Sequence, residues 1–136
     1  MRYRSGVVIA FPDGPKMRRA KNICDRAYRE VVGWPDALIT SQHDGNHSIN
    51  SKHYARLDDL RRYPCYPNGS EGAIDLRTWP RWNVPGQMLP ATKERIAKRI
   101  RELLEVEMPG EWWVGVEPDH IHVQHQYEHQ RPEVTA

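Results

Sequence analysis

Apolar and polar positions change their spacing several times along this chain, and each change marks an element. Residues 6–11, GVVIAF, form an apolar run that predicts a short strand, ended by the turn-forming PDGP. From Lys16 to Val32 the apolar positions Met17, Ala20, Cys24, Ala27, Tyr28 and Val31 recur every three or four residues. That period predicts a helix with one buried face, stopped by Gly33 and Pro35. Residues 37–41, ALITS, read as a strand. GAIDLRT, residues 72–78, alternates with period two, so Ile74 and Leu76 face a core while Asp75 and Arg77 face the other way. ATKERIAKRIRELLEVE, residues 91–107, places Ile96, Ile100, Leu103 and Leu104 in one helical stripe, and its Lys and Arg residues read as the solvated face. EWWVGVE and HIHVQ, residues 111–117 and 120–124, read as two strands joined at Pro118–Asp119. QHDGNHSINSKHY (42–54) and WPRWNVPGQMLP (79–90) read as loops, and a polar tail begins at about residue 126.

Helices mixed with short alternating strands predict an α+β fold, a small antiparallel sheet with helices packed on one face. At 136 residues, with no internal repeat or low-complexity linker, the chain reads as a single domain spanning 1–136. Only 38% of residues are hydrophobic, but five Trp and six Tyr supply the bulk that a disordered chain lacks.

Charge and cysteine usage narrow the function classes. Twenty basic residues against eighteen acidic leave a net charge of +2, too weak to imply a nucleic-acid partner. The apolar run before Pro12 is too short for a signal-peptide core, and no stretch approaches a membrane span. The expectation is therefore a protein made in the cytoplasm without a signal peptide and without membrane insertion. Cys24 and Cys65 form no CxxC pair and read as buried thiols.

Six of the seven histidines fall into two groups, His43, His47 and His53, then His120, His122 and His125. In a strand HIHV, His120 and His122 point to one side and Ile121 and Val123 to the other. If Pro118–Asp119 is a two-residue hairpin turn, Glu117 becomes the cross-strand partner of His120, and Glu117, His120 and His122 share one face. An HxH pair alone is more often two polar residues on the wet side of a strand than part of a metal site, which needs His and Asp ligands converging from separate elements. Asp75 adds weight to the metal reading, because aspartate is disfavoured inside strands and needs a reason to be there. Gly72, just before it, suits a close backbone approach.

Three pieces, ITSQHDGNHSINSKHY, GAIDLRTW and EPDHIHVQ, together resemble the zinc peptidases of bacterial cell-wall turnover. These are the LAS metallopeptidases: D-Ala-D-Ala carboxypeptidases, phage L-alanyl-D-glutamate endolysins and their hedgehog-like relatives. The resemblance is nearest to short phage-type members, and it covers residues 35–79 and 112–125. It implies a hedgehog-like fold with Zn2+ held by His53, Asp75 and His122. It implies that Glu117 and His120 handle the proton and polarise the transition state, and that Ser51 shapes the loop. The implied substrate is a peptidoglycan stem peptide, cut by metal-activated water in a D-Ala-D-Ala carboxypeptidase or L-Ala-D-Glu endopeptidase manner. Such an enzyme would be a lysin released by another factor or a virion component. A non-catalytic zinc-binding virion or cell-wall-binding module of the same fold is the alternative.

The chain departs from the family pattern between His53 and Asp75, which in the family lie close together. A segment at about 55–71 reads as an insertion, able to line the cleft or act as a lid. It brings Asp58 and Asp59 nearer to His53 as rival ligands, but only Asp75 has the GAIDLR setting. His47 reads as substrate-facing or as simple loop structure. Arg77 reads as a contact for a substrate carboxylate or as half of a salt bridge on the sheet. His43, His125 and His129 are expected at the surface, and Trp79, Trp82, Trp112 and Trp113 in the core or on the cleft wall.

Overall fold

The structure, a computed structural model, describes residues 1–7, 9, 12–42, 71–79 and 88–125. Its elements are β1 (Arg2–Tyr3), α1 (Pro15–Val32), β2 (Leu38–Ser41), β3 (Ala73–Arg77), α2 (Pro90–Glu107), β4 (Trp112–Val116) and β5 (His120–His125). The strands form one open sheet in the order β1-β2-β3-β5-β4. The fold is α+β, with both described helices covering one face. Among the described residues, no helix is long and apolar enough to cross a membrane.

Two expectations about the sheet need correction. It is antiparallel from β2 to β4, but β1 runs parallel to β2 at the edge. The first strand is Arg2–Tyr3, and the described members of GVVIAF, Gly6, Val7 and Ile9, lie outside any strand. The Val7 N–H turns back to donate to the Arg4 carbonyl at 3.2 Å, with Gly6 at φ 88°, so the chain bends where the apolar run suggested extension. The segment at about 55–71, Glu71 apart, lies outside the described residues, as does the tail from 126.

The core forms where the predicted stripes meet. Met17, Ala20, Cys24 and Tyr28 of α1 and Ile96, Ile100 and Leu104 of α2 pack on Ile74, Leu76, Ile121 and Val123 of the sheet, all buried. Each large aliphatic side chain withdrawn from water contributes roughly 1.5–3 kcal/mol. Burial also pushes the Cys24 thiol well above its ordinary pKa, with the Asp25 charge adding to the effect. Polar ties orient the layers. The Tyr28 hydroxyl donates to the Arg77 carbonyl at 2.8 Å, and the Ala37 N–H donates to Asp25 Oδ1 at 2.9 Å. Buried Lys21 donates to the Tyr3 hydroxyl, Asp13 Oδ2 and Gln42 Oε1 at 2.7, 2.5 and 2.8 Å. This gathers the end of β1, the approach to α1 and the residue after β2 around one ammonium.

Helix α1 begins without a local cap. Gly14 offers no side chain, and Pro15 occupies the first turn, where its missing N–H costs nothing. The free donors are satisfied from across the fold instead. Glu71 Oε1 accepts from the Lys16 and Met17 N–H groups at 2.9 and 3.0 Å, placing a carboxylate at the positive end of the helix dipole. A Cβ at residue 14 would overlap that carboxylate, so glycine is what lets Glu71 dock.

The basic face of α2 is not wholly solvated, contrary to the sequence reading. Lys93 is buried, and its Nζ donates to the Pro118 carbonyl at 2.8 Å, fixing the turn between β4 and β5. Arg101 donates from Nε and Nη2 to the Val114 carbonyl at 3.2 and 2.9 Å. Strand β4 is the sheet edge, and the guanidinium covers a carbonyl that would otherwise invite another strand.

Candidate metal centre

Strand register brings the candidate residues together on the sheet face away from the helices. Asp75 of β3 pairs with His122 of β5, and Arg77 pairs with His120. On the other side of β5, His122 pairs with Gly115 of β4. The Glu117 N–H donates to the His120 carbonyl at 2.8 Å, which closes a two-residue turn at Pro118–Asp119 and meets the condition for Glu117 to share a face with the histidines. Asp75, Arg77, Glu117, His120 and His122 therefore share the open face. All are partly buried, with Ile74, Leu76, Ile121 and Val123 beneath them holding the strands to the core.

At the centre lies Asp75 Oδ1. His122 Nδ1 is 2.8 Å from it and His120 Nε2 is 3.5 Å from it. Burial opposes charge on the His122 ring. Its hydrogen bonds to Asp75 and Gln124, with the negative charges of Asp75 and Glu117, outweigh that cost and hold its pKa above the ordinary value. A ring held ready for positive charge beside a carboxylate is an arrangement that a cation can enter by replacing the proton.

The donor set fits a metal ion. Asp75, His120 and His122 each offer one ligand atom, and these atoms lie within 4.8 Å of one another. A carboxylate oxygen with two imidazole nitrogens suits zinc and its first-row neighbours, and three protein donors leave a coordination position open. The group can hold a metal ion, and the structure brings His120 into it beside the expected Asp75 and His122. His53 and His47 lie outside the described residues, as do Ser51, Asp58 and Asp59.

Trp113 forms a wall beside the group. Its indole centroid is 5.6 Å from that of His122, and 41% of its surface remains exposed. The indole lies across Gly115, where a Cβ would overlap the ring. Arg77 places its guanidinium over the Trp79 ring, 5.0 Å from the centroid, and burial lowers its pKa. Trp112 lies on the opposite side of β4, its ring centroid 5.0 Å from that of His125.

His125 corrects a sequence expectation, since it is buried with 4% exposure rather than at the surface. Its Nδ1 accepts from the Glu71 N–H at 2.8 Å, its Nε2 is 3.4 Å from Glu111 Oε1, and Lys16 pairs with Glu111 behind it. Burial lowers its pKa, overriding the nearby carboxylates. Odd-numbered positions of β5 face the helices, and extending the alternation of Ile121 and Val123 by one step would have placed His125 inside. The same parity would have added Gln124 to the open face, where its Oε1 lies 2.8 Å from His122 Nε2. His43, His129, Trp82 and Cys65 lie outside the described residues. Comparison with protein-family models, with curated proteins and with solved structures finds no match to the chain.

Proposed function

We propose that the protein is a zinc-dependent peptidase that hydrolyses peptidoglycan stem peptides. The observation that supports this reading is the convergence of Asp75, His120 and His122 on one open sheet face, with Glu117 on the same face. The substrate class rests on the resemblance of SKHY, GAIDLR and EPDHIHV to cell-wall peptidases. Asp75 and His122 hold the ion. The third donor is His120 in the group formed by the described residues, or His53 as the resemblance implies.

When bound, zinc would supply a Lewis acid that brings the pKa of water toward neutrality. Glu117 takes the proton of the attacking water and returns it to the leaving amine. His120, where His53 is the third donor, hydrogen-bonds the oxygen on which negative charge develops. Arg77 receives a carboxylate of the substrate, and Trp113 bounds the cleft.

Metal analysis, with digestion of purified peptidoglycan in the presence and absence of a chelator, tests the reading. Bound zinc and chelator-sensitive release of new amino termini are expected. A wild-type protein that holds no zinc and releases no termini would sink it, whereas bound zinc with no cleavage would select the non-catalytic module. Glu117→Gln should keep zinc and lower turnover by about 10²–10⁴-fold. Zinc content of His120→Ala and His53→Ala then assigns the third donor.

A further inference from the structure

Strand β5 and its turn hold the two site histidines by their outer nitrogens. His122 Nε2 lies 2.8 Å from Gln124 Oε1, and His120 Nδ1 lies 2.6 Å from Asp119 Oδ1. The inner nitrogens, Nδ1 of His122 and Nε2 of His120, are those that face Asp75. A neutral imidazole that ligates through one nitrogen carries its proton on the other, and the acceptor of that proton selects the tautomer and fixes the ring plane.

Resting on the proposed metal site, though not on hydrolysis, we infer that Gln124 is a positioning residue. It takes the Nε2–H of His122, so that the ring presents Nδ1 to the metal. Two features of the sheet make Gln124 the stronger of the two holds. It is partly buried on a paired strand, between Ala73 of β3 and Trp113 of β4, whereas Asp119 is exposed at the turn. Trp113, held down across Gly115, also packs against the His122 ring and limits its rotation. A neutral amide fixes the proton without adding charge to a site that already holds Asp75.

The test is zinc affinity of the full chain, measured by competition with a chromophoric chelator, for the wild type, Gln124→Leu and Gln124→Glu. It is paired with a long-range proton–nitrogen correlation spectrum of the zinc-loaded wild type, which reports which His122 nitrogen bears the proton. Leucine should weaken zinc binding by about 10–100-fold, glutamate should restore it, and His122 should be protonated at Nε2. Unchanged affinity in Gln124→Leu, or a proton on Nδ1 in the loaded protein, overturns the inference and leaves the metal site standing. A wild type that binds no zinc removes the metal site, and the inference with it. The wild-type spectrum decides the matter even if the leucine variant does not fold.

Discussion

His122 and His125 sit on the same strand and have opposite circumstances. His122 lies on the open face beside Asp75, where hydrogen bonds and nearby carboxylates overcome burial and favour the charged ring. His125 lies on the helix face, where burial prevails and favours the neutral ring, with Nδ1 free to accept from the Glu71 backbone. The residue type is the same, and the parity of its position decides which environment it meets. One face of β5 is arranged for chemistry and the other for cohesion.

The largest effects should come from swapping an insult between those faces. Ile121→Ala on the core side should cost about 2–5 kcal/mol in denaturant unfolding. His122→Ala on the open side should abolish zinc retention and change the stability of the metal-free protein by less than about 1 kcal/mol. Equal losses of stability from the two variants would break the comparison. A smaller effect is expected where the open face is itself packed. Gly115→Ala should displace the Trp113 indole at a cost of about 1–3 kcal/mol, read as a red shift and loss of structure in tryptophan emission. An unchanged spectrum would mean that the indole does not rest on Gly115.

The two rings should also respond to pH with opposite signs in the metal-free protein. His125 is less basic folded than unfolded, so its contribution to stability is full above the unfolded pKa of about 6.5 and falls as pH drops below it. His122 is more basic folded than unfolded, so its contribution is full below that value and is lost as pH rises through the raised folded pKa. Unfolding curves across this range for His125→Gln and His122→Gln should each lose one of the two slopes. Slopes of the same sign would contradict the assigned environments. The smallest signal is a null one: Cys24, buried with its pKa raised, should react with a thiol reagent only at the rate of unfolding.

Periodicity was enough to read most of this frame. Both helices begin and end within a residue of the expected positions, β2 to β4 fall inside the expected stretches, and β5 runs one residue past its own. The junction of β4 and β5 at Pro118–Asp119 was legible, though the tightness of its turn was only a condition of the reading. Asp75 announced itself as a polar residue of poor strand propensity between Ile74 and Leu76. What escaped was non-local. Nothing near Gly14 says that its helix is capped by Glu71, and nothing in α2 distinguishes Lys93 and Arg101 from their solvated neighbours. Those roles depend on which element arrives opposite, and periodicity does not carry that information. His125 is a different miss, since the alternation of its own strand contained the answer. The short strand at residues 2–3 owes its place to pairing with β2, and two residues are too few to show a period.

The clamping of Glu71 and Gln42 has a consequence for how the frame is held together. Gln42 is anchored through Lys21 and Asp13, and Glu71 through the start of α1 and His125. The two ends of the segment 43–70 are thus each bolted to the scaffold by contacts that the segment itself does not supply. Each bolt ties together elements that lie far apart along the chain, so the loss of one should be felt at a distance from the altered residue. Glu71→Ala should lower the melting temperature of the intact chain, because the first N–H groups of α1 lose their acceptor.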